Sequence, residues 1–169
     1  MATTIKRHML TIWPVQSVGT NNPYGLVKEY PEIAAQSFVY GAPVVWDTSS
    51  EAIVLATDST VAGLGIALEP ASGTTGAMVK VAIFDQNTIY RVPFLNAGAA
   101  AAASEAYIGV PYSFVARTDG YGYGIDTADT GSHDWFQVLA LAPDSPDDTD
   151  PGYALVRVLP AVMLDPNIA

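Results

Sequence analysis

The stretch Met78-Val79-Lys80-Val81-Ala82-Ile83-Phe84-Asp85-Gln86-Asn87-Thr88-Ile89-Tyr90-Arg91-Val92-Pro93-Phe94-Leu95 assigns the fold class. Val79, Val81 and Ile83 alternate with Lys80 and Ala82, the two-residue period of a half-buried strand. Beyond Asp85-Gln86-Asn87 the period resumes, with Tyr90, Val92 and Phe94 on one face. The three polar residues between the runs predict a hairpin turn. Pro93 has no N–H to give to a ladder, so it predicts an edge strand or a strand end.

Working outward, short β-type runs recur between turn formers. Residues 37–40 lead through Gly41-Ala42-Pro43 to Val44-Val45-Trp46, and Asp47-Thr48-Ser49-Ser50 precedes a run over 52–56. Another run spans 61–68 and stops at Pro70-Ala71-Ser72-Gly73. On the far side come 112–117, then Asp119-Gly120-Tyr121-Gly122-Tyr123-Gly124-Ile125-Asp126, where Tyr121 and Tyr123 are expected on one strand face. Runs over 135–142 and 153–159 complete the set. The five alanines 99–103, followed by Ser104 and Glu105, predict one short α-helix over about 97–107, because alanine loses almost no side-chain entropy on becoming helical. Gly109 is placed to stop it. Residues 1–30 hold no sustained period and read as an extended N-terminal arm. The expectation is a mostly β chain: a small β-barrel or β-sandwich over 31–169, with one helix and the arm.

Composition narrows the function classes. Acids outnumber bases 17 to 7, for a formal net charge of −10. Nucleic-acid binding needs clustered Lys and Arg against phosphate, and here the bases are scattered, so it is disfavoured. No run approaches the roughly 18 apolar residues of a membrane span. No apolar signal region follows Lys6 and Arg7, so the chain reads as soluble and unprocessed. With no cysteine there is neither a disulfide framework nor a thiolate metal site.

The search for catalytic chemistry returns little. Gly63-Leu64-Gly65 begins like a dinucleotide fingerprint but lacks the third glycine and a βαβ setting, and a bulge or crossing strand explains it better. No Gly-x-Ser-x-Gly elbow or P-loop is present. His133 and Asp134 are sequence neighbours, which point to opposite faces of an extended segment, so the pair reads as a surface turn. The other histidine, His8, lies in the arm. Asp144, Asp147, Asp148 and Asp150 offer oxygen ligands for calcium. The EF-hand spacing fails, however, because Leu159 stands where a bidentate glutamate is needed. A carboxylate pair for glycoside hydrolysis leaves no local signature. Tyr107, Tyr112, Tyr121, Tyr123 and Trp135 form either a stacking surface for sugar or protein, or core filling, with core filling favoured. The expectation is a non-enzymatic binding protein with no cofactor or metal.

Four passages in order resemble capsid decoration (cement, head-stabilising) proteins of tailed bacteriophages. They are Tyr30-Pro31-Glu32-Ile33-Ala34-Ala35-Gln36-Ser37-Phe38-Val39-Tyr40-Gly41-Ala42-Pro43-Val44-Val45, then Val61-Ala62-Gly63-Leu64-Gly65-Ile66-Ala67. The third is Ala106-Tyr107-Ile108-Gly109-Val110-Pro111-Tyr112 with Gly124-Ile125-Asp126-Thr127. The fourth is Gly152-Tyr153-Ala154-Leu155-Val156-Arg157-Val158-Leu159-Pro160. The resemblance covers roughly residues 30–160 and implies a barrel or tulip-like domain. Such a domain is often trimeric and sits on the outside of the virion, against the major capsid protein, after synthesis in the host cytoplasm. By analogy the arm docks to the shell, with Ile5, Ile12, Trp13 and Tyr24 as its expected anchors. Two other readings stand beside it: a phage tail or baseplate structural or receptor-binding module, and a carbohydrate-binding β-sandwich.

Overall fold

The computed structural model describes residues 11–17, 24–57, 62–129, 133–145 and 152–163. The chain is mostly β, as the strand periods predict, and its strands fall into two small barrel-like sheets. The first uses β2 (Val27–Pro31), β3 (Pro43–Asp47), β4 (Ala52–Leu55), β5 (Gly65–Ala67) and β6 (Met78–Ile83), in the order β2-β6-β5-β3-β4. Every neighbouring pair is antiparallel. Its two ends meet at a parallel bridge between Glu32 and Ile53, so the sheet is nearly a closed ring.

The second sheet is organised around the longest strand, β7 (Thr88–Asn96). It includes β9 (Pro111–Tyr112), β10 (Phe114–Ala116), β11 (Tyr123–Asp126), β12 (Phe136–Leu141) and β13 (Tyr153–Val158), in the order β10-β11-β7-β13-β12-β9. Only Ser113 separates β9 from β10, so one extended segment pairs with β12 at its start and with β11 at its end. That segment closes the ring. Closure removes the open edges that would otherwise template pairing with other chains.

The turn at Asp85-Gln86-Asn87 forms, with Asp85 accepting from the Asn87 N–H and the Thr88 hydroxyl, each at 2.7 Å. It does not make a hairpin. β6 pairs with β2 and β5, whereas β7 pairs with other strands, so this turn is the passage from one sheet to the other. Pro93 is likewise on no edge. β7 is flanked on one side first by β1 (Trp13–Ser17), paired up to Arg91, and then by β11, paired from Phe94. The proline stands in the gap between these two neighbours, where a ladder N–H has no acceptor to reach.

The expected helix over 97–107 is absent. Ala97 and Gly98 turn with φ 48° and 85°, and the chain runs back along β7 as β8 (Ala99–Ala100). A single 3₁₀ turn, Glu105–Tyr107, follows, with the Ser104 side chain accepting from the Ala106 N–H. Alanine's propensity is weak without a bulky apolar face to bury, and so short a helix is marginal alone. Extended, the same residues find tertiary partners: Ala101 donates to Phe94 O at 3.0 Å and accepts from the Gly152 N–H at 2.9 Å.

One continuous core runs through both sheets. At its centre Phe84 meets Tyr90, Trp135 and Phe136 edge-on, with ring centroids 5.9, 5.9 and 6.0 Å away. Gly63 lies under this cluster, and a Cβ there would overlap the rings of Trp135 and Phe84. Gly65 is pressed as closely against the Ala82 carbonyl of its antiparallel neighbour β6. These contacts account for the Gly63-Leu64-Gly65 motif structurally. Gly63→Ala is expected to lower the unfolding free energy by about 1–3 kcal/mol through overpacking. Urea unfolding followed by tryptophan fluorescence measures the loss.

Candidate functional site

The described part of residues 1–30 is built into the sheets. Ile12 is 0% exposed. β1 pairs antiparallel with β7, matching Trp13 to Arg91 and Ser17 to Thr88, with a register shift between Pro14 and Gln16. Thr11, also buried, ties the two sheets together. Its hydroxyl donates to Tyr40 O at 3.0 Å and accepts from the Tyr123 N–H at 3.1 Å. Gly41, at φ 76°, leaves the space that the Thr11 side chain occupies. The expected arm is therefore corrected over these residues, and Ile12 is a core residue with no surface to offer a partner. Ile5 lies outside the described residues.

Trp13 and Tyr24 do come together at the surface. Their rings meet edge-on at 5.8 Å and 90°, although they stand 11 positions apart in the sequence. Trp13 starts a cross-strand row on the outer side of the second sheet: Trp13 on β1, Arg91 on β7, Leu155 on β13 and Ala140 on β12. Arg91 stacks over the Tyr153 ring with Cζ 3.6 Å from its centroid, and it pairs with Asp144 at 2.9 Å. Trp, Tyr and Arg are the residue types enriched at protein contact surfaces. The row is thus the best candidate for docking, and Arg91 is a member that sequence reasoning missed. Its signal was available: a charged residue inside the alternating run 88–95.

The other sequence candidates separate. Tyr112, Tyr123 and Trp135 are buried in the core, and Tyr107 packs against Phe94 and Tyr112. Tyr121 is 61% exposed in the turn before β11, so it does not share a strand face with Tyr123. These aromatics form no common stacking surface. The Tyr121 turn is fixed by Arg117, which forks onto Asp119 through Nε and Nη2. That bond holds the Asp119 carboxyl below its ordinary range and raises Arg117. A depressed carboxyl contributes stability above its unfolded value and loses it as pH falls. The pair is partly exposed, so solvent screens much of this effect.

His133 and Asp134 make no hydrogen bond or ion pair with each other, and the Asp134 Oδ1 is buried without a partner. Asp147, Asp148 and Asp150 lie outside the described residues, as does His8, while Asp144 is taken by Arg91. Among the described residues no group of three His, Asp or Glu is placed to hold a metal ion, and no helix is long and apolar enough to cross a membrane.

Sequence reasoning also missed Glu32, a carboxylate 1% exposed at the bridge that closes the first ring. Its Oε1 accepts from the Ser72 hydroxyl, from the Ser72 N–H at 2.8 Å and from the Thr74 N–H at 3.3 Å. An acid beside Pro31 in the apolar stretch 30–34 was the clue. The role is structural: it fastens the 72–74 loop over the seam.

Burial raises the pKa of Tyr90 far above its ordinary value, with the nearby Asp85 charge adding to it, and the hydroxyl has no hydrogen-bond partner. Burial likewise raises Tyr123. A raised tyrosine favours the neutral form in the folded state. The stability it lends is complete below the unfolded value and falls as pH climbs past about 10. Tyr90→Phe removes an unsatisfied buried hydroxyl, so it is expected to stabilise the protein by about 1 kcal/mol. It should also reduce the alkaline loss, as measured by thermal unfolding between neutral and alkaline pH. Comparison with protein-family models and with curated proteins finds no match to this sequence.

Proposed function

We propose that this chain is a structural virion protein that binds the outer surface of a major capsid shell and stabilises it, acting as a homotrimer without enzymatic activity or cofactor. The observation that carries the reading is where the four decoration-like passages fall. Residues 30–45 run from the end of β2 into β3, and 61–67 reach β5. Residues 106–112 with 124–127 supply β9 and β11, and 152–160 supply β13. The likeness therefore touches strands of both rings in chain order, β2, β3 and β5 in the first and β9, β11 and β13 in the second.

A protein of this kind acts by mass action. Copies that bind only the assembled shell shift the equilibrium towards it, and symmetric copies add avidity without a deep pocket. The docking role first expected of the arm passes to Trp13 and Tyr24, which meet at the start of the outer row. The alternative of a sugar-binding surface loses its main support, because Tyr123 is buried in the core while Tyr121 is exposed.

The test uses capsid shells of the encoding phage that lack this protein. Saturable binding with raised thermal resistance of the shell is expected, together with a sedimentation mass near three times 17.8 kDa for the free protein. Tyr24→Ala should weaken binding about tenfold, equivalent to about 1.4 kcal/mol, with the fold intact. Ile12→Ala should instead destabilise the protein by about 2–5 kcal/mol as a core truncation. Shells that bind no protein would overturn the reading.

A further inference from the structure

The outer side of the β12–β13 pair carries an arginine that is oriented by a neutral amide and paired with no acid among the described residues. Gln137 and Arg157 are register partners there, on the opposite side from the fully buried Phe136 and Val158. Gln137 Nε2 donates to Gly109 O at 3.2 Å, which fixes the amide plane. Its Oε1 then accepts from Arg157 Nε at 3.1 Å and Nη2 at 2.7 Å. A guanidinium presents five N–H donors in a planar fork, and these bonds occupy one edge of it. The end-on edge, formed by Nη1 and Nη2, takes no acid among the described residues. Among the described residues the ion pairs are Lys80–Glu69, Arg91–Asp144 and Arg117–Asp119. Arg157 is exposed, and its only side-chain partner there is a neutral amide.

Two exposed apolar side chains belong to the same corner. Ile108, 45% exposed, directly precedes the Gly109 that anchors Gln137. Leu139, 38% exposed, sits where the β12–β13 register shifts between Val138 and Ala140. The two segments are joined by the Gly109 N–H donating to Val138 O at 2.8 Å.

We propose that Arg157, together with Ile108 and Leu139 on the segments bonded to its partner Gln137, is a recognition site for an aspartate or glutamate side chain set beside an apolar residue in a partner protein. The free end-on edge matches a carboxylate with two parallel bonds, which a lysine ammonium cannot reproduce. Gln137 holds the guanidinium in place before any partner arrives, so less side-chain entropy is lost on binding. The net charge of −10 opposes an acidic partner only at long range. Screening over about 8 Å at physiological salt leaves the direct fork as the dominant contact. The site stands apart from shell docking: peptides probe the arginine, whereas shells probe the function proposed above, so either can fail alone.

The experiment measures binding of the full chain to an array of short, C-terminally amidated peptides. Each carries one Asp or Glu beside Leu, Ile or Phe in a neutral background, with Asn or Gln versions as controls. Acid-bearing peptides should bind at least about tenfold more tightly than their amide controls, as expected for charged hydrogen bonds. Arg157→Gln should abolish that preference, Arg157→Lys should restore only part of it, and Gln137→Leu should weaken it. Lys80→Gln, on the first sheet, should leave it unchanged. Unaltered unfolding transitions will show that the variants fold. Absence of acid-dependent binding, or its survival in Arg157→Gln, overturns the proposal. A preference for peptides with a free C-terminal carboxylate, whatever their side chains, overturns the side-chain assignment.

Discussion

Everything in this fold depends on the packing of Phe84 and Trp135 over Gly63. Each sheet alone is too small to enclose an adequate core, since small units leave a large share of their apolar surface in water. Joined at this point, they share one interior, with Phe84 reaching from the end of the first sheet into the aromatic cluster of the second. The joint also explains why polar ties cluster around it. Thr11 links Tyr40 to Tyr123, and the Gly63 N–H donates to Val162 O at 2.6 Å, so backbone groups buried at the joint keep their partners.

The two rings close by different means. In the second, a backbone segment bridges β12 and β11 through Ser113 with ordinary ladder bonds. In the first, side chains complete the seam. Glu32 collects donors from Ser72 and Thr74, and the Gln36 Oε1 accepts from the Leu55 N–H at 3.1 Å, where a neighbouring strand would otherwise supply a carbonyl. Exposed surface away from these seams is free to carry contacts. The candidate residues Trp13, Arg91 and Arg157 all lie on the outer side of the second sheet, Arg157 exposed, Trp13 half-buried and Arg91 held between Asp144 and Tyr153.

Strand type was legible from the sequence, and strand partners were not. The alternation over 79–83 and 90–94 reports which face is buried, a local property, and the structure keeps that face: Val79, Val81, Ile83, Tyr90, Val92 and Phe94 are all core, although Ala82 and Pro93 on the other face are buried as well. Whether β6 pairs with β7 is decided by residues as distant as Val27 and Val156, which no local window contains. The alanine run misled because propensity was weighed without the tertiary partners that favour the extended form. The lead-in misled for a related reason: Pro14 and the bulge beside it hide the period of β1. Tyr121 and Tyr123 were assigned one face by counting, but the turn fixed by Arg117 and Asp119 ends before β11 begins. Of the expected anchors, Trp13 and Tyr24 are brought together, whereas Ile12 was recognised as important for the wrong reason.

The central place of β7 bears on how the chain folds as it is made. Its neighbours come from both ends of the described sequence: Tyr90 lies between Pro14 on β1 and Val156 on β13. Pairing across such separations is slow to nucleate, because the loop between the partners must be ordered first. On the ribosome, all strands of the first ring are available once residue 83 has emerged, while the core they share with the second sheet is still missing and β7 waits with an unpaired edge until residues 153–158 follow. The nascent chain therefore passes through a stage in which its core is incomplete and its longest strand is still open to the wrong partner.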